Sequence, residues 1–96
     1  KPRWNLNSFK KLIKNKTVYL TFDVDGLDGS IMPATGTPEP GGLLWDETLK
    51  IIKIAMKNSN VVGADINELA PIKGFNSYNF LVAKLAYKII SYKFLY

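Results

Sequence analysis

The apolar and polar positions of the chain fall into two recurring kinds of segment. Thr17–Phe22 (TVYLTF) is β-branched and aromatic with no polar face, the pattern of a strand covered on both sides. Val61–Ile66 (VVGADI) repeats it in shorter form. Between them, WDETLKIIKIAMKN places Leu49, Ile52 and Met56 on one helical stripe, joined by Ile51 and Ala55, with Lys50, Lys53 and Lys57 opposite. Asp46 and Glu47 in its first turn and Lys57 in its last suit the helix dipole. Ser8 is placed to cap a short helix carrying Phe9, Leu12 and Ile13, closed by Asn15-Lys16. A final helix is predicted over Tyr78–Tyr92, with Asn76 or Ser77 as its cap.

The order is therefore helix, strand, long loop, helix, strand, loop, helix. Strands alternating with helices predict a parallel βαβ unit of the α/β class with a right-handed crossover. The link from Gly26 to Gly42 holds five glycines and three prolines and must be irregular. Two strands make a poor parallel sheet, because such strands need cover on both faces and neighbours on both edges. The pattern is that of a piece of a larger α/β domain.

Composition narrows the chemistry. At 96 residues the chain is one small domain or part of one, and its 47% apolar content is that of a globular protein. With no cysteine, disulfides and thiolate metal sites are excluded. Lys1–Lys14 carries no signal-peptide pattern, and no apolar run approaches the ~18 residues of a membrane span, so a soluble, cytoplasmic chain without a membrane partner is expected. The net charge of +5 comes from lysines spread over several segments at amphipathic spacing, the pattern of solvated faces. No nucleic-acid motif accompanies them, and nucleic acid is not an expected partner. The chain has no histidine, so its chemistry must use carboxylates or take imidazoles from elsewhere.

Carboxylates stand where such chemistry would sit. Ligands of open α/β sheets gather outside the carboxyl ends of the strands, and here the first strand ends in Asp23 and Asp25, the second in Asp65 and Glu68. Residues two apart on a strand point the same way, so Asp23 and Asp25 would share a side while Val24 faces the core. Two close carboxylates repel, desolvation adds to the cost, and a cation relieves both. Asp28, before Gly29 and Ser30, reads as a turn former. An EF-hand loop counted from Asp23 fails, since its sixth and twelfth positions would be Asp28 and Ala34 in place of Gly and Glu. FDVDG also fits the Asp-x-Asp phosphatases, in which the first Asp attacks phosphorus, although Leu27 departs from their pattern and the TGTPEPGG loop has no role there.

The longer stretch FDVDGLDGSIMPATGTPEPGGL, followed by VVGADINELAP, resembles the ureohydrolase family of arginases and agmatinases. TGTPEPGGL and APIKGFNSYNFLVAKLAYKI are most similar to agmatinases. The likeness runs from Thr17 to Tyr92 and matches the C-terminal third of a family member, so residues 1–96 would be the C-terminal fragment of a single ureohydrolase domain. It implies a three-layer α/β/α fold with a parallel sheet. It also implies two Mn²⁺ ions bridged by hydroxide, hydrolysing a guanidino compound, agmatine foremost, to urea and an amine. Carried over by position, Asp23 would bridge both ions, Asp25 would ligate one, and Glu68 would face the substrate's guanidinium. Asp65 would support the site from behind, and Thr35 and Thr37 would order the loop or a water.

The family's other ligands lie in Gly-Gly-Asp-His and Asp-Ala-His-x-Asp segments, and neither occurs here. Gly29 replaces a usual proline, and Asn76 and Asn79 stand where agmatinase-like tails often carry His and Asp. The fragment alone is therefore expected to be inactive, and the complete enzyme a trimer or hexamer acting on a small molecule. A phosphatase-like hydrolase and a truncated, non-catalytic assembly piece are the alternative readings.

Overall fold

The computed structural model describes residues 5–35 and 41–96. Helix α1 spans Leu6–Ile13, strand β1 Thr17–Asp23, helix α2 Trp45–Asn58, strand β2 Asn60–Asn67 and helix α3 Asn76–Leu95. Asn5, not Ser8, caps α1: its side chain accepts from the amides of Asn7 at 2.8 Å and Ser8 at 3.1 Å. Asn5 immediately precedes the apolar Leu6, so Ser8 falls inside the first turn. Helix α2 matches its sequence pattern end to end. The Glu47 carboxylate accepts from the Leu44 amide at 3.1 Å, and the Thr48 hydroxyl donates to the Leu44 carbonyl at 2.9 Å. Helix α3 runs beyond the expected Tyr78–Tyr92 at both ends, and Phe75 at its N-cap makes no side-chain bond, so neither Asn76 nor Ser77 caps it.

β1 and β2 pair in parallel, Thr17 opposite Asn60 and Asp23 opposite Asn67, with a bulge that leaves Val62 without a register partner. The expectation that β1 is covered on both faces does not hold. Leu20 and Phe22 pack into the core under the helices, while Tyr19, on the other face, is 59% exposed. Phe9 and Ile13 of α1, Ile52 of α2 and Leu85 of α3 all join the core that receives Leu20 and Phe22, so all three helices cover one face of this sheet. Burial of the second face needs atoms that these residues do not supply.

Two apolar clusters hold the fold. The larger joins Ile52, Ala55 and Met56 of α2 to Val61 of β2 and to Leu85, Ile89 and Tyr92 of α3. The smaller lies beyond the carboxyl end of β1, where Val24, Leu27, Met32 and Ala34 are fully buried beneath Ile66, Tyr78 and Leu81. Burying a side chain such as Leu27 completely is worth about 2 kcal/mol. This cluster anchors residues 24–34 against the strand ends as a shelf. No helix among the described residues is long and apolar enough to cross a membrane.

Candidate metal centre

β1 delivers Asp23 to its carboxyl end, and there the extended chain stops. Val24–Gly26 form one turn of 3₁₀ helix, which Asp23 caps by accepting from the Asp25 amide at 3.1 Å. Val24 points into the smaller core with no exposed surface, as the sequence predicts. The geometry that relates the two acids differs from the expectation: a tight turn, not strand alternation, connects them. They remain neighbours. The Asp23 carboxyl holds its proton above the ordinary value of 3.8. Loss of solvation is the largest cause, the Asp25 carboxyl adds to it by hydrogen bonding and like charge, and the Asp25 amide opposes it.

The loop that follows is closed by Asp28. Its carboxylate accepts from the amides of Gly41 at 2.7 Å and Gly42 at 3.2 Å, and from both the amide and the hydroxyl of Ser30. These bonds hold its pKa below the ordinary value of 3.8, with Ser30 the largest contributor. Beside the carboxylate, the Asp28 amide donates to the Leu43 carbonyl at 2.7 Å and the Leu43 amide to the Gly26 carbonyl at 2.9 Å. Gly42 fits only as glycine, because an added Cβ would lie 2.7 Å from the Leu27 carbonyl carbon. Asp28 is thus the turn former the sequence implies, and also the clasp of the whole loop. Thr37, named as a candidate from the sequence, lies outside the described residues.

The second acidic strand end is tied to the first. The Ala70 amide donates to the Ala34 carbonyl at 2.7 Å, and Thr35 and Leu69 form an antiparallel bridge. Glu68, immediately before that bridge, is exposed and adopts a left-handed backbone at φ 71°. That conformation costs a non-glycine residue about 1 kcal/mol or more. Thr35 is 8% exposed, and its hydroxyl has no hydrogen-bond partner among the described residues. Asp65 is turned along the sheet: it accepts from the Asn67 side-chain amide and lies against the Tyr19 hydroxyl, whose pKa it raises chiefly through their hydrogen bond. Gly63 permits this, since a Cβ there would meet the Tyr19 ring at 2.7 Å.

The structure therefore brings Asp23 and Asp25 together, joins Glu68 to their shelf through the Thr35–Leu69 bridge, and engages Asp65 with Tyr19 and Asn67. Sequence reasoning missed Asn67, which is paired with Asp23 and bonded to Asp65. Its position two residues after Asp65 carried that signal. It also missed the reach of Asp28 to Gly41 and Gly42, which no local spacing reveals.

Hard oxygen donors of this kind suit Mn²⁺ or Mg²⁺. Asp23 and Asp25 fit such an ion as two of its ligands, since a cation would relieve the repulsion recorded in the acidity of Asp23. Among the described residues no three His, Cys, Asp or Glu side chains converge as a complete ligand set.

A parallel βαβ unit with acids gathered beyond its strand ends belongs to the α/β class of ligand-binding and catalytic domains. Residues 2–91 match the Arginase family, and the chain belongs to that family. It is 44% identical over 91 residues to the N(1)-aminopropylagmatine ureohydrolase of Synechocystis, covering 95% of this chain and 29% of that protein. The crystal structure of the agmatine ureohydrolase of Thermoplasma volcanium superposes with a TM-score of 0.80 at 30% identity, over 96% of this chain and 31% of that one. The formiminoglutamase of Trypanosoma cruzi, whose structure was determined with Mn²⁺, gives 0.71 at 27% identity over 92% and 30%. The chain thus spans about three tenths of the length of these relatives. Family membership decides against the phosphatase reading of FDVDG.

Proposed function

We propose that this chain is the C-terminal portion of a manganese-dependent ureohydrolase, agmatine being its substrate, and that it carries part of the binuclear site. The observation that supports the reading most is the Asp23–Asp25 pair at the end of β1 in a chain of the Arginase family. Asp23 would hold both ions and Asp25 one of them. When bound, manganese supplies Lewis acidity and a water of lowered pKa. The Glu68 carboxylate would bind the guanidinium by charge-assisted hydrogen bonds and fix the orientation of its carbon. The strained backbone of Glu68 accords with a side chain set by function, because strain of this kind gathers at binding sites. The shelf of Val24, Leu27, Met32 and Ala34 fixes the aspartate turn from below.

Two ligands cannot hold two ions. The imidazoles that complete the site would come from polypeptide outside these residues, so the 96 residues alone should bind Mn²⁺ weakly and release no urea. Calorimetric titration with Mn²⁺, together with a urea assay on agmatine, tests this. Weak binding that disappears in Asp23→Asn and Asp25→Asn, with no urea, is the expected result. Binding untouched by both substitutions, or urea release at ordinary enzymatic rates by the chain alone, would overturn the reading.

A further inference from the structure

The face of the sheet turned away from the helices becomes polar toward its carboxyl end. The register sets Tyr19 beside Gly63, Thr21 beside Asp65 and Asp23 beside Asn67, and strand alternation puts all six on that face. Asp65, half-buried, accepts there from two sides. The Tyr19 hydroxyl reaches it from the amino side, across the bare backbone of Gly63, and the Asn67 side-chain amide from the carboxyl side. An ionised carboxylate only accepts, so the nitrogen of Asn67, and not its oxygen, faces Asp65. Hydrogen bonds exposed in this way add little to stability, because water competes for them. Their effect is on orientation: Asn67 is exposed and stands on the last rung of the ladder, yet its side chain is tied down.

We infer that Asn67 is a positioning residue for the metal centre: its amide nitrogen gives one hydrogen to Asp65 and is placed to give the other to the Asp23 carboxylate when that group holds an ion. Neighbouring strands lie about 4.8 Å apart, and partners on one face are within reach of such a bridge. A carboxylate that serves a metal is steadied by donors from neighbouring groups. The Asp25 amide holds Oδ1 of Asp23 from the chain's own turn. Asn67 adds a donor from the adjacent strand, and a neutral amide does so without setting a positive charge against the cation. Asp65 then acts on the site through Asn67, and Tyr19 acts by holding Asp65. The inference rests on the reading of Asp23 as a manganese ligand.

Mn²⁺ titration of the 96-residue chain, followed by the electron paramagnetic resonance of the free ion, tests it. Asn67→Ala should weaken binding about tenfold with the urea unfolding midpoint unchanged. Asp65→Ala should weaken it too, by the lost charge and the lost anchor together. The double variant should bind less than twofold more weakly than Asp65→Ala, because two residues that act as one unit are not additive. The lost charge at position 65 acts on its own and drops out of that comparison.

The failures are distinct. Asn67→Ala binding like the parent, while Asp23→Asn abolishes binding, would overturn this inference and leave the manganese reading standing. A parent that binds no Mn²⁺, or binding indifferent to Asp23→Asn, would overturn both. A tenfold loss that persists in full on the Asp65→Ala background would make Asn67 a group acting on its own. A loss that comes with a lowered urea midpoint would make it a structural one, and either result removes the positioning role.

Discussion

The Asp28 carboxylate accepts hydrogen bonds from Ser30, Gly41 and Gly42, whereas Asp23, five residues earlier, accepts one from the Asp25 amide and stands beside a second carboxylate. The two acids start from the same ordinary acidity, and their surroundings move them in opposite directions. Backbone amides converging on Asp28 stabilise its charge, so that acid is spent on structure. At exposed Asp23 the charge loses part of its solvation and faces another of the same sign. Like charges held side by side at a strand end favour a cation between them. What distinguishes a structural aspartate from a candidate ligand here is the number of donors aimed at it.

The largest test of this contrast is at the clasp. Gly42→Ala would press a methyl carbon into the Leu27 carbonyl at 2.7 Å, against backbone that cannot swing away. It should destabilise the chain by about 3 kcal/mol, read as a lowered urea midpoint in equilibrium unfolding. A variant as stable as the parent would mean that the loop neck is looser than these contacts require.

Asp28→Asn comes next. Its loss should lower Tm at neutral pH, because an amide accepts more weakly from the glycine and serine amides than a carboxylate does. The pH dependence has a definite sign. A folded-state pKa below the ordinary 3.8 contributes stability that is full above that value and fades as pH falls through the lower one. The parent should therefore lose stability on acidification below about pH 4 more steeply than Asp28→Asn. Parallel Tm–pH curves for the two proteins would remove Asp28 from the role of clasp.

Much of this architecture is legible in the residues alone, and the exceptions have physical causes. Helix α2 can be read to its ends because its acids, apolar stripe and lysines mark first turn, buried face and last turn together. The one-sided burial of β1 cannot, since TVYLTF reports what a strand is built to meet, whereas Tyr19 and Thr21 stay exposed on the face away from the helices. The aspartate pair is visible as a pair, but its 3₁₀ connection is set by Val24 seeking the core and Gly26 ending the turn. The grip of Asp28 on Gly41 and Gly42 spans the whole loop and leaves no periodic trace. On α3, apolar residues on both sides blur the buried face, and only the structure separates Leu85 and Ile89 from the exposed ones.

The smallest expected effect is the most discriminating, because its sign reverses. Asp23→Asn removes one of two like charges while leaving a carbonyl oxygen to accept from the Asp25 amide. A folded-state pKa raised above 3.8 contributes stability only below the ordinary value and loses it as pH rises through the higher one. At neutral pH the ionised Asp23 is therefore a cost to the metal-free fold, and Asp23→Asn should raise Tm slightly, where Asp28→Asn lowers it. Adding Mn²⁺ should close the gap from the other side, raising Tm of the parent by binding the folded state and leaving the variant unmoved. If both asparagine variants lowered Tm alike, Asp23 would be a second structural cap, and the division between the two acids would fail.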